Sequence, residues 1–241
     1  MKDIYVIADI HGELKKLKHI ISKILIIDQN PKLVFLGDYV DRGPHSAQVI
    51  DFLLDLSKSI ECVFLVGNHD YEFFKLGLDQ GIQNIKNHGF YNAGVEETLM
   101  SYNYDTSHMK RHYTNFYLEL QSYHIENNNL FVHGGFNRHH HIKDHVHNNL
   151  FVLIWDRDLI MSAKSYEAMC RAEGFDSNKY KFRIHDGYDN VFIGHTPVQY
   201  FQQKHIMVLP KARIHLCDTG LGKYDNAIPQ ALRVHDLKII E

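Results

Sequence analysis

Apolar residues fall along the chain in short, dense runs at 4–8, 33–36, 63–66, 130–132, 191–193 and 214–217. Each run is too short for a helix and rich in β-branched or aromatic side chains, the pattern of a strand buried on both faces. A further strand is predicted over 231–235. Between the first three runs the period changes. Leu14, Leu17, Ile20, Ile21, Ile24 and Leu25 recur at helical spacing, and Val49, Ile50, Leu53, Leu54 and Leu56 do the same with one slip. Each set makes one apolar stripe on a helix. Helices are also expected over 96–120 and 161–173. Strand, helix, strand, helix, strand is the order that builds a sheet flanked by helices. No internal repeat, linker or Pro/Gly-rich boundary divides the 241 residues, so one α/β domain over 1–241 is expected.

The polar residues that follow the runs are of a restricted kind. ADIHG, LGDYVDRG, VGNHD, VHGG, IGHT and CDTG each come where an apolar run ends. In open α/β sheets ligands bind outside the carboxyl ends of strands. Six strand ends bearing Asp, His and Asn are therefore expected to converge on one site. Asp9, His11, Asp38, Asn68, His133 and His195 offer oxygen and nitrogen donors and no thiolate. Mixed imidazole and carboxylate suits a divalent first-row metal. In Asp9-x-His11 the two ligands share a side of an extended strand end, because alternate residues share a face. An aspartate carries two oxygens, so Asp38 could bridge two ions.

Composition narrows the partners. Hydrophobic residues make 44% and charged residues 23% of the chain, an ordinary globular balance, and the net charge of −3 gives no basic excess of the kind nucleic acid requires. Three cysteines, Cys62, Cys170 and Cys217, argue against a disulfide framework and for a reducing compartment. Cys62 and Cys217 sit in strand-like runs and read as buried small hydrophobes. The opening MKDIYVIADIHG enters a strand pattern without a signal-peptide core, and no apolar run is long enough to span a bilayer. A cytoplasmic protein without a membrane partner is expected, its oligomeric state left open.

These motifs resemble the calcineurin-like metallophosphoesterases, and within them the phosphoprotein phosphatase family, whose pattern runs GDxHG, GDxxDRG, GNHE or GNHD, HGG, WxR and GHT. Here the order is ADIHG, GDYVDRG, GNHD, HGG, WDR and GHT, covering nearly the whole chain from Asp9 to about Gly220. The resemblance implies a metallo-dependent phosphatase fold, a two-sheet β-sandwich flanked by helices. It implies one metal on Asp9, His11 and Asp38, and a second on Asp38, Asn68, His133 and His195. Two divalent ions follow, Mn2+ first, with Fe or Zn as alternatives. Arg42 and Arg157 would bind phosphate, His69 would act as general acid, and Asp41 would orient it. A metal-bound hydroxide would attack phosphorus directly. Trp155 is expected to pack and position Arg157, Asp218 to shape a turn, and Asp70 and Glu72 to be first-turn acids of a helix.

The stretch FVHGGFNRHHHIKDHVHNNL holds six histidines. His133 alone sits at a strand end before two glycines, and it is read as the ligand. His139, His140, His141, His145 and His147 are read as a solvated loop bordering the site. Val66, Asp70 and Ala8 depart from the eukaryotic pattern and move the sequence towards bacterial branches, which include small Ser/Thr/Tyr phosphatases and dinucleoside tetraphosphate hydrolases. The expected function is hydrolysis of phosphoserine or phosphothreonine, with tolerance for phosphotyrosine and small phosphoesters. The alternative substrate is diadenosine tetraphosphate. A non-catalytic scaffold on the same fold is the remote alternative, disfavoured because the ligands, His69 and Arg42 are all present.

Overall fold

Tyr5 and Ile7 leave β1 (Ile4–Ile7) on one side, Ile4 and Val6 on the other, and all four are buried. A strand apolar on both faces needs a layer on each, and the computed structural model supplies them. It describes residues 2–78 and 94–241, the side chains of 146–148 excepted. One sheet runs β10-β9-β1-β2-β3, with β2 at Lys32–Phe35, β3 at Glu61–Phe64, β9 at Ala231–Arg233 and β10 at Lys238–Ile240. The other runs β4-β5-β6-β8-β7, with β4 at Tyr123–Glu126, β5 at Asn129–Val132, β6 at Asn190–Ile193, β7 at Met207–Leu209 and β8 at Ile214–Leu216. β1, β2 and β3 are parallel to one another, and so are β5, β6 and β8. The antiparallel strands lie towards the edges.

The sheets face each other across one apolar layer. Ile4, Val6, Val34 and Val63 meet Phe131, Phe192 and Cys217 there. Burying each such side chain contributes about 1.5–3 kcal/mol. Alternate residues face outward. Tyr5, Ile7, Leu33 and Phe35 pack against α1 (Leu14–Ile27) and α2 (Ser46–Leu56), while Leu130, Val132, Val191 and Ile193 pack against Leu153, Leu159 and Ile160. The result is the expected two-sheet sandwich flanked by helices.

The differences from expectation are local. The helix expected over 96–120 is broken into Val95–Ser101, Thr106–Asn115 and a short 3-10 turn at Tyr117–Glu119. Asn103 and Tyr104 adopt left-handed backbone at φ 51° and 56°, and the Asp105 carboxylate caps the new helix by accepting from the N–H groups of Ser107 and His108. The helix expected over 161–173 starts earlier, at Asp158–Met169, with the Asp156 side chain accepting the Leu159 N–H. β4, β7 and β10 were not predicted; they are edge strands of three or four residues, β4 and β10 without a dense apolar run and β7 within the short apolar run 206–209. Cys217 is buried as expected, but Cys62 is only half-buried, because β3 ends its sheet. Among the described residues no helix is long and apolar enough to cross a membrane.

Candidate active site and metal centre

Because β1, β2, β3, β5, β6 and β8 are parallel within their sheets, the polar sequences that follow them collect on one rim. Asp9 and His11 follow β1, Asp38 to Arg42 follow β2, Asn68 and His69 follow β3, His133 follows β5, His195 follows β6 and Asp218 follows β8. Asp9, His11, Asp38, Asp41, Arg42 and His195 all sit in the left-handed region, at φ 37°, 45°, 55°, 69°, 68° and 63°. For a residue with a Cβ this costs about 1–3 kcal/mol and persists only where surrounding structure enforces it. The enforcement is visible: the N–H groups of Ile10 and His11 both donate to the Asp38 carbonyl at 2.9 Å. Gly67 allows the third loop in, since a Cβ there would lie 2.1 Å from Asp38 Oδ1.

Asp38 is the centre. Its Oδ2 lies 3.5 Å from His11 Nε2 and 3.5 Å from His133 Nε2. Each ring has its other nitrogen, Nδ1, 2.8 Å from a backbone carbonyl, Val40 O for His11 and Leu36 O for His133. A carbonyl only accepts, so both Nδ1 atoms carry protons and both Nε2 atoms present lone pairs to the cluster. That is how metal-ligating histidines are held. His195 places Nδ1 2.9 Å from Asn68 Oδ1, which also lies 3.1 Å from His133 Nε2, and its own Nε2 is buried without a partner. The His195 N–H donates to both oxygens of Asp9, at 3.1 and 3.2 Å.

The electrostatics describe a basin that wants cations. Burial, with the Asp218 and Asp38 charges, pushes the Asp9 carboxyl well above its usual range. Burial works against the Asp38 charge too, but the facing imidazoles of His133, His69, His11 and His195 outweigh it and lower the pKa. Burial lowers His11, His133 and His195, keeping the neutral form that ligates metal. One Asp218 oxygen is buried without a partner, while the other accepts the Gly220 N–H at 2.7 Å, the expected turn. Lone pairs, an orphaned ring nitrogen and crowded carboxylates all fit bound divalent cations. Two groups could each hold one, His11–Asp38–His69 and Asp38–His133–His195; Asp9, expected in the first, is in neither, and both its oxygens accept the His195 N–H.

His69 stands at the edge of this basin. Its Nδ1 lies 2.7 Å from Asp41 Oδ2, and its Nε2 lies 3.0 Å from Arg42 Nη2. Arg42 Nη1 reaches His11 Nε2 at 2.6 Å, so one guanidinium spans both rings. Burial opposes the imidazolium of His69, but the Asp38 charge and the Asp41 hydrogen bond raise its pKa on balance. Asp41 is itself fixed: Thr98 Oγ1 donates to its Oδ1 at 2.9 Å, and its N–H donates to Thr98 Oγ1 at 2.8 Å.

Several residues have different roles from those expected. Asp70 is more than a first-turn acid. Its buried carboxylate accepts the N–H groups of Asp38, Tyr39 and Gly67 at 2.7, 2.9 and 3.0 Å, tying two ligand loops together. Glu72 is buried near His69, Asp41 and Asp38, and burial above all pushes its pKa up to about 8. Trp155 sets its ring edge-on to His195 at 5.4 Å, packing on a candidate ligand itself. Arg157 is exposed, and its charge acts on His195. Lys223, which carried no signal in the sequence, has its pKa lowered by burial and by the Arg42 and Arg157 charges.

The histidine tract is a short helix, Ile142–Asn148, and not a loop throughout. His139, His140 and His141 are exposed, and the side chain of His147 lies outside the described residues. His141 pairs through Nδ1 with Asp186, and its Nε2 lies 3.0 Å from His185 Nε2. His145 is half-buried beside Phe136, its Nε2 without a partner, unlike the solvated residue expected. His139, His140, His141 and His145 lie outside the two strand-end metal groups.

The rim of parallel strand ends thus carries metal-ready imidazoles, a shared aspartate and a guanidinium. The calcineurin-like phosphoesterase family model matches residues 2–211. The chain belongs to that family. It is 29% identical over 164 residues to the asymmetrical bis(5'-nucleosyl)-tetraphosphatase PrpE of Oceanobacillus iheyensis, covering 63% of each chain. It is 35% identical over 88 residues to the symmetrical bis(5'-nucleosyl)-tetraphosphatase of Buchnera aphidicola subsp. Schizaphis graminum, covering 36% of this chain and 31% of that one. The matches thus span from about a third to under two thirds of these relatives' lengths. A cold-active protein-tyrosine phosphatase from a psychrophilic Shewanella species shares the fold, with a TM-score of 0.62, 16% identity, and coverage of 99% of this chain and 77% of that one.

Proposed function

We propose that this strand-end cluster hydrolyses a phosphoanhydride or phosphoester using two divalent ions, Mn2+ first among them, and that a dinucleoside polyphosphate is its preferred substrate class. The observation that carries the chemistry is Asp38 Oδ2, equidistant from two Nε2 lone pairs at 3.5 Å. Asp9, His11 and Asp38 would hold one ion; Asp38, Asn68, His133 and His195 would hold the other. Bound there, the ions supply Lewis-acid polarisation of phosphoryl oxygens and an activated water.

The chain's own groups do the rest. Arg42 and Arg157 orient phosphoryl oxygens through fixed, permanently charged forks. With Arg42 turned onto the phosphoryl oxygens and His69 protonated at Nε2, His69 would give that proton to the leaving oxygen while its Nδ1–H stays hydrogen-bonded to Asp41, whose carboxylate supports the imidazolium. The substrate reading rests on two supports. The curated relatives are named for bis(5'-nucleosyl) tetraphosphates, and Lys223 follows Gly222, where a Cβ would lie 3.2 Å from Arg42 Cβ, so it offers a further cation useful to a phosphate chain and surplus to a single phosphoryl group.

The second reading is the phosphoserine or phosphothreonine monoesterase. It is favoured by the Arg42 fork at the centre of the cluster, which suits a terminal group with three free oxygens. The test is kcat/KM for diadenosine tetraphosphate and a phosphothreonine peptide with the same metal. A preference of about tenfold or more for the dinucleotide is expected, worth about 1.4 kcal/mol. Lys223→Ala should reduce that preference. A tenfold preference for the peptide would restore the monoesterase reading.

A further inference from the structure

A second group of metal-ligand side chains lies on the helix layer, away from the strand ends. The helix Thr106–Asn115 carries His108 and His112 one turn apart, so both rings leave the same face. That face meets Asp51 on α2. Asp51 Oδ1 lies 2.9 Å from His112 Nε2 and 3.5 Å from His108 Nε2, and the three ligand atoms lie within 4.8 Å of one another. The imidazole rings are 4.4 Å apart.

We propose that Asp51, His108 and His112 form a site for one zinc-like divalent cation, separate from the strand-end cluster. Tetrahedral zinc with bonds of about 2.0–2.2 Å sets neighbouring ligand atoms about 3.3–3.6 Å apart. The Asp51–His108 separation of 3.5 Å already lies in that range, and the Asp51–His112 hydrogen bond at 2.9 Å would lengthen to admit the ion. Two imidazoles and one carboxylate leave a fourth position for water, a donor set suited to zinc and its first-row neighbours more than to magnesium or calcium.

The group is built as a site rather than as a chance surface cluster. His112 is buried, and the Tyr102 hydroxyl, also buried, holds its Nδ1 at 2.8 Å. With one ring nitrogen fixed, the other is aimed at Asp51. Burial lowers the His112 pKa and so keeps the neutral, ligating form. Asp51 and His108 are open to solvent, with side-chain exposures of 54% and 26%, which gives an ion a way in. The cation would staple α2, which follows the Asp41–Arg42 loop, to the helix layer beside it.

The test uses the full chain with its manganese loaded, dialysed against micromolar zinc, and compares wild type with His108→Ala and Asp51→Asn. Neither residue belongs to the strand-end cluster, and zinc held elsewhere contributes equally to all three proteins. Total zinc per chain should fall by one equivalent in each variant. The rise in Tm that zinc gives the wild type should shrink in both, while phosphatase activity stays within about twofold. Tm measured in excess chelator controls for folding: equal values there assign the lost shift to the ion. Equal zinc content and an equal zinc-dependent Tm shift in all three proteins would overturn the proposal, as would variants whose Tm deficit is the same with and without zinc.

Discussion

Two regions of this chain are rich in histidine and each gathers metal-ligand side chains, but they differ in burial, backbone and hydrogen bonding. The strand-end set of His11, His69, His133 and His195 is buried, its backbone partly in left-handed conformations, each ring tied by a defined hydrogen bond. The tract after His133 places three consecutive histidines in solvent at the start of a short helix. In the first region backbone carbonyls choose the tautomer of two rings and burial keeps them neutral. In the second, His141 answers to one carboxylate, Asp186, on a neighbouring loop. Ligand count does not make a reactive centre; enforced geometry, fixed tautomers and low dielectric do.

That contrast is open to direct attack by mutation. The largest effect should come from Asp38→Asn, which removes the anionic oxygen shared by two imidazoles. Turnover should drop on the order of 10^3-fold or more, with loss of bound metal, since an ion contributes several kcal/mol to such a transition state. The matching change in the other region, Asp186→Asn, should stay within a few-fold. Metal analysis alongside phosphate release decides this, and comparable losses would erase the distinction.

His69→Asn should retain metal yet lower kcat by about 10²–10⁴-fold. The loss should be smaller for p-nitrophenyl phosphate than for an alkyl phosphate, because a good leaving group needs little protonation. Equal losses on both substrates would remove the proton-donor role. One shell further out, Thr98→Val deletes the hydroxyl that bonds Asp41 in both directions. About a tenfold loss in kcat is expected, at the low end for groups that orient such residues, and stopped-flow kinetics on the same two substrates would show whether it follows the His69 pattern. The smallest effect should be the replacement of His139, His140, His141, His145 and His147 together by Asn. Activity within a few-fold of wild type is expected; a stoichiometric loss of catalytic metal would merge the two regions into one.

Much of this was legible before the structure. Strands buried on both faces announce themselves as continuous apolar runs, and parallel strands put their following residues on one rim, so Asp9, His11, Asp38, Asn68, His133 and His195 could be assembled from order alone. Asp70 was legible as part of GNHD but not in its role, because its three N–H partners come from two loops that only the fold brings together. Thr98 and Lys223 carried no signal: one acts through Asp41 from a distant helix, and the other is an ordinary exposed lysine in sequence. The break at Asn103 and Tyr104 was hidden because apolar periodicity continues across it, and left-handed backbone at a tyrosine is decided by packing and by the Asp105 cap.

Everything proposed for the buried strand-end cluster turns on bound divalent ions. The direct measurement strips the chain of metal, then follows phosphate release and bound metal together as Mn2+ is added back. No turnover is expected in excess chelator, and turnover should rise in step with occupancy and be absent throughout in Asp38→Asn. Full turnover in chelator, with no metal bound, would contradict it.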